Sequence, residues 1–329
     1  MRRRIFLATA AALPLLAACK KGSPGSAGKP RIAVIPKGTT HEFWKAVHAG
    51  AVKASREASV EIVWKGPIKE DDLKAQIDVV QSFVAQGVSG IVLAPLSDSA
   101  LKNPVKAAVA ASIPVIVFDS DLQGDAHASF VATDNVAAGK LAADEMSRLL
   151  GGKGNVVVLR YQEGSASTAN RERGFLDAIK AHPDLRVISD NQYGGATTES
   201  AFATSESLLA AQKAAQGNVQ GVFTPNESTT FGMLLALKKV TQPGQVRFLG
   251  FDASDKLREG LNDGHIDGLV VQNPFNIGYL AVKTMADRLA GKSIEKRIDT
   301  GATLVTKANI GDPTIRELMS PDLAPWLGP

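Results

Sequence analysis

From Pro30 onward, short runs rich in Val, Ile and Leu alternate with longer stretches whose apolar residues recur every three or four positions, and few folds accept that alternation. Strand-like runs at Ile32–Ile35, Val60–Trp64, Gly90–Ala94, Val115–Phe118 and Phe130–Ala132 are interleaved with helical segments at Phe43–Ala58, Asp71–Gln86 and Ser99–Ala111. Within Asp71–Gln86, Leu73, Ile77, Val80 and Val84 fall on one helix face. Strands separated by helices imply a parallel sheet, because a parallel pair needs a crossover long enough to be helical. A second series opens with a helix over Val136–Leu150. It continues through strands at Val156–Leu159, Arg186–Ser189, Gly221–Thr224, Val246–Phe251 and Ile266–Val271, with helices at Asn170–Ala181, Thr198–Gln212, Thr229–Lys239 and Asp255–Asn262. A helix at Ile277–Leu289 and a last strand at Ala302–Val305 follow. The pattern predicts an α/β fold of two doubly wound parallel-sheet lobes in tandem, and 329 residues suit two units of about 100–200 each.

In open α/β sheets ligands bind in the crevice beyond the carboxyl ends of the strands. The most telling end belongs to Ile113–Asp121, IPVIVFDSD, an uninterrupted apolar run that stops abruptly in acid. Asp119 is therefore a candidate ligand contact, although Asp and Ser at a strand end also serve as turn formers and helix caps. Other strand ends carry a similar mixture. Lys37, His41, Phe43 and Trp44 follow the first strand, Ser165, Ser167, Asn170 and Arg171 the first strand of the second series, and Asn226, Asp252 and Gln272 later ones. Planar side chains that donate and accept in pairs suit hydroxyl groups, and rings cover an apolar C–H face. That combination points to a sugar.

The formal charge of +4 is concentrated at the start of the chain, since without Arg2, Arg3 and Arg4 the 37 Lys+Arg fall to 34 against 33 Asp+Glu. No basic patch for nucleic acid survives. Those arginines, the apolar run Ile5–Ala18 and Cys19 have the three regions of an export signal, and the run is short for a membrane span of about 20 residues. Leu16-Ala17-Ala18-Cys19 looks like a bacterial lipobox, which would make Cys19, the only cysteine, the lipidation site. Arg3-Arg4-Ile5-Phe6-Leu7 also resembles a twin-arginine export core, so either the Sec or the twin-arginine route is open. The expected divisions are a signal peptide over 1–18 and a Gly/Ser/Pro/Lys tether over 19–30.

IAVIPKGTTHEFWKAVHAGA, IPVIVFDSD, VATDN, RERGF, FTPNE, LGFD and VVQNP, in this order and spacing, resemble the periplasmic solute-binding proteins of the ribose and other monosaccharide ABC importers. The resemblance runs from about Arg31 to the C-terminus. It implies the type I periplasmic binding protein architecture, two α/β lobes joined by a three-strand hinge and closing over a sugar. It places crossings at about Thr133, Gln272 and Thr303, hence an N-terminal lobe of 31–133 plus 273–303 and a C-terminal lobe of 134–272 plus 304–329. By the same resemblance Phe43 and Trp44 sandwich the pyranose ring, Asp119 takes two ring hydroxyls, Arg171 is the sugar-binding arginine, and Asn226, Asp252 and Gln272 are second-lobe contacts. Tyr193 falls near a third family aromatic. Lys37 and His41 depart from the ribose pattern, and Lys37 with Asp119-Ser120-Asp121 is similar to relatives that bind autoinducer-2. Lys37 could therefore donate to a hydroxyl, pair with Asp119, or neutralise a sugar acid.

The expected partners are a monosaccharide or a related polyol, sugar acid or autoinducer-2-like signal, an ABC permease, and in a sensing role a chemoreceptor. A monomer held to the cell envelope only by its lipid is expected, with no cofactor and no metal. The same fold serves repressor effector domains, but an export signal stands where those carry a helix-turn-helix. Enzymes also use such folds. Here no G-x-x-x-x-G-K-[ST], no H-E-x-x-H and no nucleophile beside a base is found.

Overall fold

The computed structural model describes residues 28–328, so the export signal, Cys19 and most of the tether lie outside the described residues. Two six-stranded sheets form. The first has the order β11-β5-β4-β3-β1-β2, from β1 (Arg31–Ile35), β2 (Glu61–Trp64), β3 (Gly90–Leu93), β4 (Val115–Phe118), β5 (Ser129–Ala132) and β11 (Arg297–Asp299). The second has the order β12-β10-β9-β8-β6-β7, from β6 (Gly154–Arg160), β7 (Leu185–Tyr193), β8 (Gly221–Phe223), β9 (Arg247–Phe251), β10 (Gly268–Gln272) and β12 (Ala302–Thr306). Every neighbouring pair is parallel except β10 with β12.

Each sheet is covered on both faces, which is why its central strands read as continuous apolar runs. On the first, α1 (Glu42–Glu57) and α9 (Pro274–Leu289) cover one face. The other face is closed by α2 (Leu73–Ala85) and α3 (Lys102–Ala110). On the second, α4 (Asn135–Leu150) and α5 (Ala166–Ile179) lie opposite α6 (Thr198–Ala211), α7 (Glu227–Val240), α8 (Asp255–Asn262) and α10 (Pro313–Met319). The α4–α5 contact is made at backbone distance. A Cβ on Gly139 would meet the Arg171 carbonyl oxygen at 2.0 Å, and one on Gly174 the Val136 carbonyl oxygen at 2.1 Å. Close backbone approach of that kind requires glycine, and it fixes the helix that carries Arg171.

The chain passes between the sheets after β5, after β10 and between β11 and β12. The third passage lies at Thr300–Gly301, so Ala302 and Thr303, expected on the first lobe, pair with β10 in the second sheet instead. Hydrogen bonds tie the passages together: Thr133 Oγ1 donates to the Gly301 carbonyl at 3.0 Å and Thr300 N–H to the Ala132 carbonyl at 3.1 Å. β11 was invisible in sequence because Ile298 is its only apolar residue. The tail also departs from expectation. α10 packs on the second sheet through Ile315, Leu318 and Met319, but the chain then returns to the first lobe, where α11 (Ala324–Leu327) lies on α1 and Arg56 donates to the Pro325 carbonyl at 3.0 Å. Residues 324–327 thus pack with the lobe opposite to the one expected.

Candidate functional site

The carboxyl ends of both sheets face each other, and the loops leaving β1, β2 and β4 meet those leaving β6, β8, β9 and β10. The lobes are shut. Lys37 Nζ donates across the cleft to Ser165 Oγ at 3.1 Å and Ser167 Oγ at 3.0 Å, and Ser167 N–H donates to Ser120 Oγ at 3.1 Å. Tyr161 OH donates to Glu70 Oε2 at 2.6 Å. The cavity enclosed is about 30 Å³. That is room for about one water, so anything of sugar size enters only when the lobes part.

From the first lobe the cavity is lined by Lys37, His41, Phe43, Trp44, Glu70 and Asp119, and from the second by Tyr161, Ser167, Thr168, Arg171, Asn226, Glu227, Asp252 and Gln272. Asp119 and Asp252 follow β4 and β9 with φ of 60° and 68°. The left-handed conformation is costly for most side chains and least so for Asp and Asn, and here it turns a carboxylate off the end of each strand.

The charges are paired internally. Lys37 Nζ lies 3.4 Å from Asp119 Oδ2, His41 Nδ1 2.6 Å from Glu70 Oε1, and Arg171 Nη1 3.9 Å from Asp252 Oδ2. Burial alone would lower the pKa of His41, but the charge and hydrogen bond of Glu70, with Glu227 and Asp252 beyond, raise it to about 9. Burial would likewise raise Glu70, and His41 chiefly overturns that and holds it at about 2. For Asp252 burial wins and the pKa is raised, Arg171 and Gln272 offsetting it only in part. Arg171 is pulled down by burial against the same partner. Its guanidinium is clamped: Nε donates to Asn135 Oδ1 at 2.7 Å, Nη1 to the Pro225 carbonyl at 2.9 Å, and the group sits 4.0 Å over the Phe251 ring. Two atoms of this wall lack a partner, Arg171 Nη2 and Gln272 Oε1.

Of the residues singled out in sequence, Lys37, His41, Phe43, Trp44, Asp119, Arg171, Asn226, Asp252 and Gln272 are brought together, whereas Asn170 and Tyr193 are not among the lining residues. Asn170 lies on α5 one residue before Arg171, and successive helical positions face different ways. Tyr193 ends a longer β7 than expected; it is 38% exposed and its hydroxyl accepts from Arg160 Nη1 at 3.1 Å. Phe43 and Trp44 also differ from a sandwich. Their rings meet edge to face, 4.9 Å apart at 89°, and Trp44 packs against Phe118 in the first-lobe core, so it is as much core as cleft. Asn226 serves twice, lining the cavity and capping α7 by accepting from Thr229 N–H. Sequence reasoning missed Glu70, Tyr161 and Thr168. Tyr161 directly follows β6, so the strand-end rule reaches it once the strand is extended to Arg160.

Elsewhere the described residues include no helix long and apolar enough to cross a membrane and no group of three or more His, Cys, Asp or Glu placed to hold a metal. A family model described as "periplasmic binding protein domain" matches residues 32–293. The ribose import binding protein of Haemophilus influenzae is 26% identical over 87% of this chain and 94% of its own length. That of Escherichia coli is 27% identical over 87% and 93%. Among solved structures, a carbohydrate transporter solute-binding protein of Agrobacterium radiobacter in complex with D-arabinose superposes with a TM-score of 0.84 at 35% identity, covering 90% of this chain and all of that one. An ABC transporter solute-binding protein of Agrobacterium vitis with bound D-fucose gives 0.84 at 35% identity over 88% of this chain and all of its own.

Proposed function

The chain belongs to the periplasmic binding protein domain family, and from that premise we propose that it captures a neutral monosaccharide between its lobes and delivers it to an ABC permease. The observation that carries the reading is the wall of the cavity: Arg171 Nη2 offers a donor and Gln272 Oε1 an acceptor, both buried and both unpartnered. A hydroxyl group answers both, since it donates and accepts. An unmet buried polar atom costs about 1–3 kcal/mol, so a polyhydroxy ligand is rewarded there. Lys37, His41 and Arg171 each face a carboxylate already, which leaves no spare cation for a sugar acid. The named ligands of the relatives, ribose, D-arabinose and D-fucose, are neutral sugars, which supports the same class.

Capture proceeds by hinge closure about the passages near Thr133, Gln272 and Thr300–Gly301. Ligand contacts from both lobes coexist only in the closed form, so binding shifts the population by the difference in affinity. We assign residues 31–133 and 273–300 to the first lobe, with α11 docked upon it, and 134–272 and 301–320 to the second. The sequence of the leader supports an extracytoplasmic location with Cys19 as lipid anchor, and the protein acts as a binder and not an enzyme. Thermal-shift measurement against D-ribose, D-arabinose, D-fucose, sugar acids, polyols and autoinducer-2 tests the assignment. A neutral sugar at 100 times its dissociation constant should stabilise by about 2.7 kcal/mol. Stabilisation by sugar acids alone would contradict it.

A further inference from the structure

Glu70 is the one cavity residue that reaches both lobes with a single carboxylate, and it occupies a loop where the sequence, Glu70-Asp71-Asp72, looks like a solvated charge run. Its side chain is only 7% exposed. Oε1 accepts from Trp44 Nε1 at 2.6 Å and lies 2.6 Å from His41 Nδ1, both in the first lobe. Oε2 accepts from Tyr161 OH of the second lobe at 2.6 Å, and the Glu70 carbonyl accepts from Gln162 Nε2 at 2.9 Å. A Cβ on Gly38 would stand 2.8 Å from Glu70 Cγ, so glycine at 38 gives this side chain its room.

We propose that Glu70 is the positioning residue of the sugar site: it orients the Trp44 ring and the His41 imidazolium toward the ligand and, through Tyr161, clasps the second lobe when the cleft shuts. The proposal rests on the sugar-binding reading above. A carboxylate has about four lone-pair sites, enough for these three donors, and charge-assisted bonds of this length are about twice as strong as neutral ones. The indole N–H fixes the rotation of the ring platform. With Nδ1 held on Glu70, Nε2–H is the donor His41 has left for a ligand. His41 faces Glu70 in its own lobe and Glu227 and Asp252 across the cleft, while Glu70 also faces Lys37. Glu70 makes the close contact, and it keeps the ring charged through neutral pH.

Two variants separate the roles. Glu70→Gln keeps one amide oxygen to accept from Trp44, leaves an NH2 that donates to the Tyr161 hydroxyl in place of accepting from it, and removes the charge beside His41; Tyr161→Phe keeps the charge and removes the clasp. In the ligand-free wild type, NMR titration should find the His41 ring charged to beyond pH 8, and in Glu70→Gln its midpoint should fall toward the ordinary value near 6.5. Calorimetry with D-ribose and D-arabinose from pH 5.5 to 8.5 should show Glu70→Gln weaker by at least about tenfold at high pH, with the ratio to wild type shrinking as pH falls. Glu227 and Asp252 are common to both proteins, and since the His41 charge also holds Glu227 down, the ratio reports His41 together with the carboxylate it faces, while the NMR midpoint reports His41 itself. Tyr161→Phe should lose affinity by a factor independent of pH. The proposal is overturned by an ordinary His41 titration in the wild type, or by a Glu70→Gln protein with wild-type affinity and pH profile. If the wild type itself binds neither sugar nor any other neutral sugar, the functional reading falls and the positioning role falls with it.

Discussion

Asp119 and Asp252 occupy the same place in the two lobes, each after the strand third in its sheet order, each in a left-handed conformation, each donating its N–H to the next strand, at Val131 and Val270. Their cations differ in how they are held. Arg171 is anchored wholly within its own lobe, by Asn135, the Pro225 carbonyl and the Phe251 face. Lys37 instead finds its remaining donors' partners across the cleft, on Ser165 and Ser167. The second lobe therefore presents a preformed polar wall, and the first lobe, with its rings and its lysine, becomes complete only on closure. One topology supplies the place, and the support of each side chain decides which half is rigid.

Arg171→Ala should break this comparison most severely, because it strands buried Asp252: about 3–5 kcal/mol of stability in thermal or denaturant unfolding, along with sugar binding. Lys37→Ala also removes the cation beside buried Asp119, but its other contacts, to Ser165 and Ser167, form only on closure, so its loss of ligand-free stability should be clearly the smaller. Equal losses of stability in the two variants would refute the asymmetry. Trp44→Ala follows, at about 3–5 kcal/mol, the range for truncating a buried ring. Its loss should register in the melting temperature without ligand as well as in affinity, since the ring packs on Phe118. A variant that loses affinity alone would make Trp44 purely a cleft residue.

Within the first lobe, Asp119→Asn should weaken a neutral sugar more than Lys37→Ala does, because the carboxylate is an acceptor for hydroxyls while the lysine's donors already face Asp119, Ser165 and Ser167. The smallest effect belongs to Glu227, whose carboxylate accepts from the Glu42 and Phe43 N–H groups at the start of α1, a helix whose N-cap residue, His41, makes no side-chain cap of its own. Burial raises its pKa from the ordinary 4.5 to about 7, His41 and the two N–H groups offsetting this only in part. A raised carboxyl favours the closed state fully below pH 4.5, and this contribution is lost as pH rises through 7. Closure between those values should take up a proton, seen in calorimetry in buffers of different ionisation enthalpy, and Glu227→Gln should abolish that share.

The fold was legible because buried parallel strands must be apolar throughout, and IPVIVFDSD shows both the strand and the acid that ends it. β11 escaped for want of apolar residues, and α10 and α11 because each is shorter than two to three turns with few core contacts. Site residues at strand ends were readable by position. Glu70 was not, because its burial comes from Trp44, His41 and an opposing lobe that sequence spacing does not bring near. Tyr193 failed for the converse reason, as β7 carries it past the cleft to the surface.

The central claim is that the site's charges are balanced from within, leaving a cleft made for uncharged hydroxyls. Calorimetric titration of the wild type with a neutral pentose and with the corresponding aldonic acid, at low and high ionic strength, tests it directly. The account predicts saturable binding of the neutral sugar with an affinity insensitive to salt, and much weaker binding of the acid, whose carboxylate would be buried without a free cation. Tighter binding of the acid, weakening as salt rises, would contradict it.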